Sequence, residues 1–446
     1  MQKRYYLKYA ASVSAAVSAA LILANCSSGN VDDQSNPDAI SQAQATLAVP
    51  GVSSAVVFSF DLGAVDPATH VYYVTDRTNK AITGINLTNN AVFQFKPAGV
   101  AFFGCGSTTF NPATNPLTVT PMPGCTNITV PKGTQVVNND TSGPDGLDIV
   151  GNNLYVGDVN ALFILDKGTG ALVKKLTIPS TPTGLRADEG CDSGAAGLYM
   201  IATPGADHPF MTFIDTVSQT VIATVVMDQP AGTASAGLEA CFYDAATGRF
   251  FFNNDGSTVN PRGEVDSITA ASIRALTPSA VTQTQYTALA GTTQFALPAA
   301  CDPTGIAKGP GTDLGSMCRS GTIGQSLDFV IMSTAGVAVA TVVGAGGGDQ
   351  ITYDPTSNKW YLADSRSTPS RTSCGAGSAG CPLTPKLGVV DGTTHAIVAM
   401  IPSGNNSHSV AVDSALGKVI SPFTNPNATG GGALFPNGGI NVFKTR

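Results

Sequence analysis

The sequence predicts an all-β chain folded as a seven-bladed β-propeller, with four-stranded antiparallel blades and a ring closed by strands from both termini. Three observations predict it. The chain carries 49 Gly and 28 Pro, yet is 43% hydrophobic and only 12% charged, which suits a turn-rich folded β protein and not a disordered one. A unit of four short apolar strands, broken at Gly, Asn and Asp, recurs along its 446 residues. The last unit lacks its fourth strand, and one strand near the N-terminus has no unit of its own.

Ahead of the repeats the chain opens MQKRYYLKYA, with Lys3, Arg4 and Lys8 and no acid, followed by the uncharged run AASVSAAVSAALILA. This is the form of a secretory signal. The run is short beside the roughly 20 apolar residues of a spanning helix. It ends in Leu23-Ala24-Asn25-Cys26, which resembles the lipobox of bacterial lipoproteins, with Asn25 in place of the usual Gly, Ala or Ser. That resemblance implies cleavage of a signal peptide, residues 1–25, and a lipid such as palmitate on Cys26. The plainer reading is an ordinary signal with Cys26 incidental. Residues 26–42 are polar and small and read as a tether between lipid and fold. The propeller domain is expected over 43–446.

The units follow in order. The first is SSAVVFSFD, THVYYVTD, AITGINL, AVFQFK. The second, clearest of all, is PDGLDIV, LYVGD, ALFILDK, ALVKKLTI. The third reads TGLRAD, GLYMIAT, FMTFIDT, TVIATVVM, and the fourth AGLEACFYD, RFFFNND, GEVDSITA, TQTQYTAL. The fifth reads TGIAKG, LGSMCRSG, LDFVIMS, VAVATVVG, and the sixth DQITYD, KWYLADS, LGVVDG, AIVAMIP. The seventh has only HSVAVD, KVISPFT and GINVFKTR, and QATLAVP at 44–50 supplies the missing strand. Closing the ring this way removes the open edge between first and last blades. Two sandwiches are the competing fold, and seven units disfavour it.

Segments such as GPDGLDIVGNNLYVGD, GLEACFYDAATGRFFF, YDPTSNKWYLADS and HSVAVDSALGKVI resemble YVTN-type (YncE-like) repeats of exported bacterial propellers, over roughly residues 44–446. The resemblance implies a fold in the WD40/YVTN-like superfamily and a periplasmic or outer-membrane address. It implies no catalytic residues, because propellers host binding modules, hydrolases, lyases and scaffolds alike.

Propeller connections fall on two faces. Those joining strands one to two and three to four are mostly tight: DPATH, GNN, DAATG, DPTSN, DSALG, KGTG, TVSQ and STAG. The opposite face takes the long ones, among them NNDGSTVNPRG, SRSTPSRTSCGAGSAGCPLTPK, TNPNATGGGALFPNGG and residues 98–143. Long loops on one rigid face are where binding is expected.

The cysteines sort by the same scheme. Setting Cys26 aside leaves eight, an even number in an exported chain. Their places in the repeat predict disulfides Cys105–Cys125, Cys191–Cys241, Cys301–Cys318 and Cys374–Cys381; the other reading leaves some as buried thiols. No CxxC is present, so zinc-ribbon and thioredoxin readings have no support.

Residues opening the innermost strands line the channel mouth and are the candidate ligand-binding set: Asp145, Thr183, Thr304, Asp349, Gln350 and His408. One step further along stand Asp148, Arg186 and Glu239, in blades two, three and four. They read first as an ion network holding blades together, and second as a ligand site. His408 with Asp349 reads as an interblade hydrogen bond or as a metal or acid/base site. Trp360 is expected to pack, and NNDG at 253–256, lacking the acids of a calcium loop, to turn. There is no G-x-S-x-G elbow, and GAGGG at 344–348 precedes a strand where a phosphate site needs a helix.

The formal net charge is −7, and signal cleavage would remove three cations, so nucleic acid is excluded as a partner. The expected function is that of a lipid-anchored, monomeric, non-enzymatic binding or scaffold module. It would present its long-loop face to a protein or small molecule and touch the membrane only through its lipid. The alternative is a metal-dependent propeller enzyme, a lactone hydrolase or lyase holding a divalent cation at the mouth, and three or more converging protein ligand atoms would favour it.

Overall fold

The computed structural model describes residues 43–445 apart from 53–56, 105–128, 131–132, 135–141, 181–182, 228–236, 279–282, 299–300, 320–321, 375–381, 428–431 and 433–434. The expected signal, tether and lipidated Cys26 lie outside the described residues. So do Cys105, Cys125 and Cys381, and most of the 98–143 loop.

Seven blade sheets of antiparallel strands follow one another in chain order, their strands running in sequence from the inside out except for an N-terminal strand that ends the seventh and a parallel strand added to the third; Thr129–Val130 and Gly133–Thr134 form a separate two-stranded sheet. Each innermost strand packs beside that of the next blade, and the seventh beside the first, so the ring is closed. Closure is by Ala45–Leu47, which pairs antiparallel with Gly439–Lys444. Ala45 lies opposite Val442 and Leu47 opposite Ile440, and the Thr46 hydroxyl donates to Asn441 at 2.9 Å. The N-terminal strand thus completes blade seven, as the sequence predicts.

Each gap between blades holds its own apolar cluster. The alternating strands put one set of side chains toward each neighbouring blade. Trp360 is fully buried between blades five and six, edge-on to Phe329 at 5.2 Å. It lies where a Cβ on Gly309 would come within 1.9 Å of its ring, so glycine there makes room for the indole.

On the tight-turn face an Asp at the end of a strand folds the turn by accepting from the residues that follow. Asp166 accepts from the backbone of Gly168 and Thr169, Asp215 from Ser218, Asp354 from Ser357 and Asp391 from Thr394.

Three strand assignments are corrected. The innermost strand of blade one is Phe60–Asp66, not SSAVVFSFD, because the strand continues through Leu62-Gly63-Ala64 to the Asp66 turn. That of blade three is Gly190–Asp192; TGLRAD belongs to the preceding connection. The outer strand of blade four is Thr292–Ala296, not TQTQYTAL. Instead Gln283–Gln285 pairs parallel with Thr220–Val226 and adds a fifth strand to blade three. The segment reaches there by an insertion through the helix Ala270–Arg274, capped by the Thr269 hydroxyl, so this one tight-face connection is long. Local pattern could not separate two equally β-like runs competing for one edge.

Candidate functional site at the channel mouth

In blades one, four and five the innermost strand breaks register near the long-loop face. Two residues there oppose one on the second strand: Asp61-Leu62, Glu239-Ala240 and Thr304-Gly305. Such a bulge turns its first side chain out of the pleat. Backbone hydrogen bonds put Asp145-Gly146 against Gly157, Asp188-Glu189 against Ala202 and Gln350 against Ala363 in the same relation. Counting back from the end of each innermost strand places His408 there too. The seven equivalent positions, in ring order, are Asp61, Asp145, Asp188, Glu239, Thr304, Asp349 and His408. Gly146 and Gly305 follow two of them because a Cβ would meet the Asp188 or Asp349 carbonyl of the next blade at 2.0 or 2.3 Å.

Two arginines neutralise the first three acids. Arg77, just beyond the second strand of blade one, lies 2.7 Å from Asp61 and donates to Asp145. Arg186 lies 2.7 Å from Asp188, 3.6 Å from Asp61 and 3.7 Å from Asp145. Burial would raise the Asp61 carboxyl, but Arg77, the His408 hydrogen bond and Arg186 outweigh it and hold it below the usual range. Complete burial pushes Asp145 up despite the same arginines, so the two carboxyls flanking Arg77 are driven in opposite directions. In blade five, Arg319 takes Asp302 at 2.8 Å, Asp255 at 2.9 Å and Glu239 at 3.4 Å.

Below the ring the channel holds a cavity of about 300 Å³. Its wall is mixed: Leu62, Leu147, Ile306 and Ile351 supply aliphatic surface, and the polar side chains Asp148, Glu189, Asp192 and Gln350 reach it. The Cys191–Cys241 disulfide also lines it, joining the innermost strands of blades three and four. Cys301–Cys318 joins the first and second strands of blade five near the mouth.

The expected site residues divide as follows. Asp145, Asp349 and His408 stand on the ring. Thr304 does too, but its hydroxyl donates to Met317 O at 3.2 Å and to Gly348 O, and its carbonyl accepts from Asn253 of the NNDG run. Gln350 is one position inward and ties blade six to blades one and seven, donating to Gly63 O at 3.0 Å and accepting from Ser409 at 2.6 Å. Thr183 is exposed in the connection ahead of blade three. The position it was expected to fill is held by Asp188, the consequence of the displaced strand.

The expected Asp148–Arg186–Glu239 network is also rearranged. Asp148 accepts from the Ile149 and Asp192 backbone, and burial pushes its carboxyl up to about 7. Arg186 takes ring acids in its place, and Glu239 pairs with Arg319. His408 meets Asp61, at 3.3 Å, rather than Asp349, stacks on Phe60 at 4.7 Å and turns Nδ1 to Asn406 O. It is the interblade hydrogen bond of the plainer reading, with a different partner.

Sequence reasoning missed Asp61 and Asp188 as ring members and Glu189 one position inward. For Asp61 the missed signal was distance to the tight-face turn: Asp61, Glu239, Asp349 and His408 each precede by five residues the Asp that closes their strand, whereas Asp188 stands four before Asp192 and escapes that count.

No family model matches the chain, and no curated protein matches it in sequence. Solved structures do match it. Hydrazine synthase of Kuenenia stuttgartiensis is 10% identical at a TM-score of 0.55, over 91% of this chain and 99% of that one. The structure of U3-55K gives 10% and 0.55 over 92% and 100%, and the RRP9 WD40 repeats 9% and 0.52 over 90% and 100%. At such identities the likeness establishes the β-propeller fold and nothing finer.

Proposed function

We propose that this chain is an exported, lipid-anchored propeller of the YVTN (YncE-like) type that works as a non-enzymatic binding module through its long-loop face. The observation that carries the reading is the contrast between the two faces. One is mostly closed by short Asp-anchored turns, whereas the described parts of the longer connections, such as 255–263 and 365–374, leave the strand ends on the side of the polar ring. Rigid scaffolds place binding on such loops. The N-terminal signal pattern and Cys26 support the anchored, envelope-side address.

The test has two parts. Cys26→Ser should move the protein from the membrane to the soluble fraction of the producing cells. Photo-cross-linkers at exposed long-loop positions Asp207 and Arg262 should give a discrete adduct, and those at exposed tight-face positions Thr169 and Thr247 should not. Equal adducts from both faces, or none from either, would sink the reading.

A second reading is the metal-dependent enzyme, and one observation favours it. Ligand atoms of Asp61, Asp145 and Asp188 lie within 4.8 Å of one another. Against it, Arg77 and Arg186 already neutralise that trio, and a divalent cation would have to displace them. Elemental analysis of the purified chain separates the two. A stoichiometric divalent metal, lost on Asp188→Asn, establishes the second reading.

A further inference from the structure

Past the arginine pairs, two mouth carboxylates have no counter-charge among the described residues. Glu189 stands in blade three, directly after the ring position. It is 8% exposed, its side chain makes no hydrogen bond or ion pair with another described residue, and it lines the channel cavity. Asp349, at the ring position of blade six, likewise has no ion pair among the described residues. Glu239 shares Arg319 with two closer acids. A carboxyl this deep that faces a cavity without a cation beside it favours a ligand that supplies one. Burial, then Asp188, Glu239 and Asp349, push Glu189 well above the usual carboxyl range. Burial and Asp255, joined by Asp349, do the same to Glu239 against Arg319. These acids feel one another, yet they are not among the groups whose ligand atoms converge closely enough for a bare metal ion. Glu189 lines the cavity, and so do Ala240 and Gln350, the residues that follow Glu239 and Asp349, so the three carboxyl-bearing positions stand at its upper rim, above a wall that mixes aliphatic and polar surface.

We propose that Glu189, Glu239 and Asp349 form a site for an organic ammonium ion, whose apolar body lies in the channel against Leu62, Ile306 and Phe242. This deepens the binding-module reading and rests on the long-loop face being the working face. A cavity of about 300 Å³ is at the small end of ligand pockets and admits a short alkylamine or a lysine side chain. The ammonium head supplies the missing charge, and the tail replaces water on the aliphatic wall.

The test is calorimetric titration of the full chain in detergent with n-butylammonium, its neutral counterpart 1-butanol, an end-blocked Gly-Lys-Gly peptide and Ca²⁺. Butylammonium should bind one to one, and 1-butanol should not. Glu189→Gln should weaken binding at least about tenfold, and Asp349→Asn, at a partly exposed position, should weaken it with the melting temperature retained. Affinity should rise from pH 6 to pH 9, because the raised carboxyls must release protons to pair while the amine stays charged. Comparable binding of the peptide identifies a protein lysine as the source, and binding of the free amine alone identifies a small molecule; either supports the site. No saturable binding up to about 10 mM, undiminished binding in both folded variants, or one-for-one displacement by Ca²⁺ overturns it. The titration needs no protein partner, so its failure with face-specific cross-links intact removes only this inference.

Discussion

Asp158 shows how one buried residue can set a pH dependence. It ends the second strand of blade two, is 2% exposed, and accepts from the backbone of Phe103 at 3.1 Å and of Val159 at 2.8 Å. Burial outweighs these bonds and pushes its carboxyl up to about 7. Between the unfolded value near 4 and that value, the unfolded chain has released a proton that the folded chain keeps. Stability should therefore fall as pH rises from about 4 to 7 and level off above. Asp158→Asn keeps an acceptor and removes the ionisation. It should cancel up to about 4 kcal/mol of that fall, read from urea unfolding at pH 4 and pH 8. Parallel pH profiles for the two proteins would show that Asp158 is not the source.

At the scale of elements, blades three and four are joined more firmly than a propeller requires. The Cys191–Cys241 disulfide ties their innermost strands across 50 residues of chain. At the rim, Gln283–Gln285 leaves the blade-four segment to pair with blade three. Between them the apolar cluster holds Phe213, Phe250, Phe252 and Tyr286. Constraining a loop of that length in the unfolded chain is worth about 4 kcal/mol. The double variant Cys191→Ser, Cys241→Ser should lose about that much in denaturant unfolding and remain folded. An unchanged midpoint would mean that the rim strand and cluster alone hold the two blades.

For the whole molecule the decisive contact is the one between its ends. Without Ala45–Leu47, the strand Gly439–Lys444 would show an unpaired edge to solvent. Deleting residues 43–50 should lower the melting temperature and promote association, measured by scanning calorimetry and light scattering. A monomer with unchanged melting would show that the N-terminal strand is dispensable to the ring.

Blade count, strand order and this closure are legible because they rest on local signals: β-branched runs, Asp and Gly turns, and a strand left over at one end and wanting at the other. The Cys191–Cys241 and Cys301–Cys318 pairings follow from the same scheme. Asp145, Thr304, Asp349 and His408 were legible because each opens an innermost strand whose start the turn signals mark. Asp61 and Asp188 were not, because their strands begin within runs that a register shift of a few residues leaves equally apolar. Which arginine meets which acid, that Glu189 meets none among the described residues, and that blade four gives a strand to blade three were decided by the tertiary structure. Charges from different blades converge only when the ring closes, and two similar runs choose one sheet edge by packing.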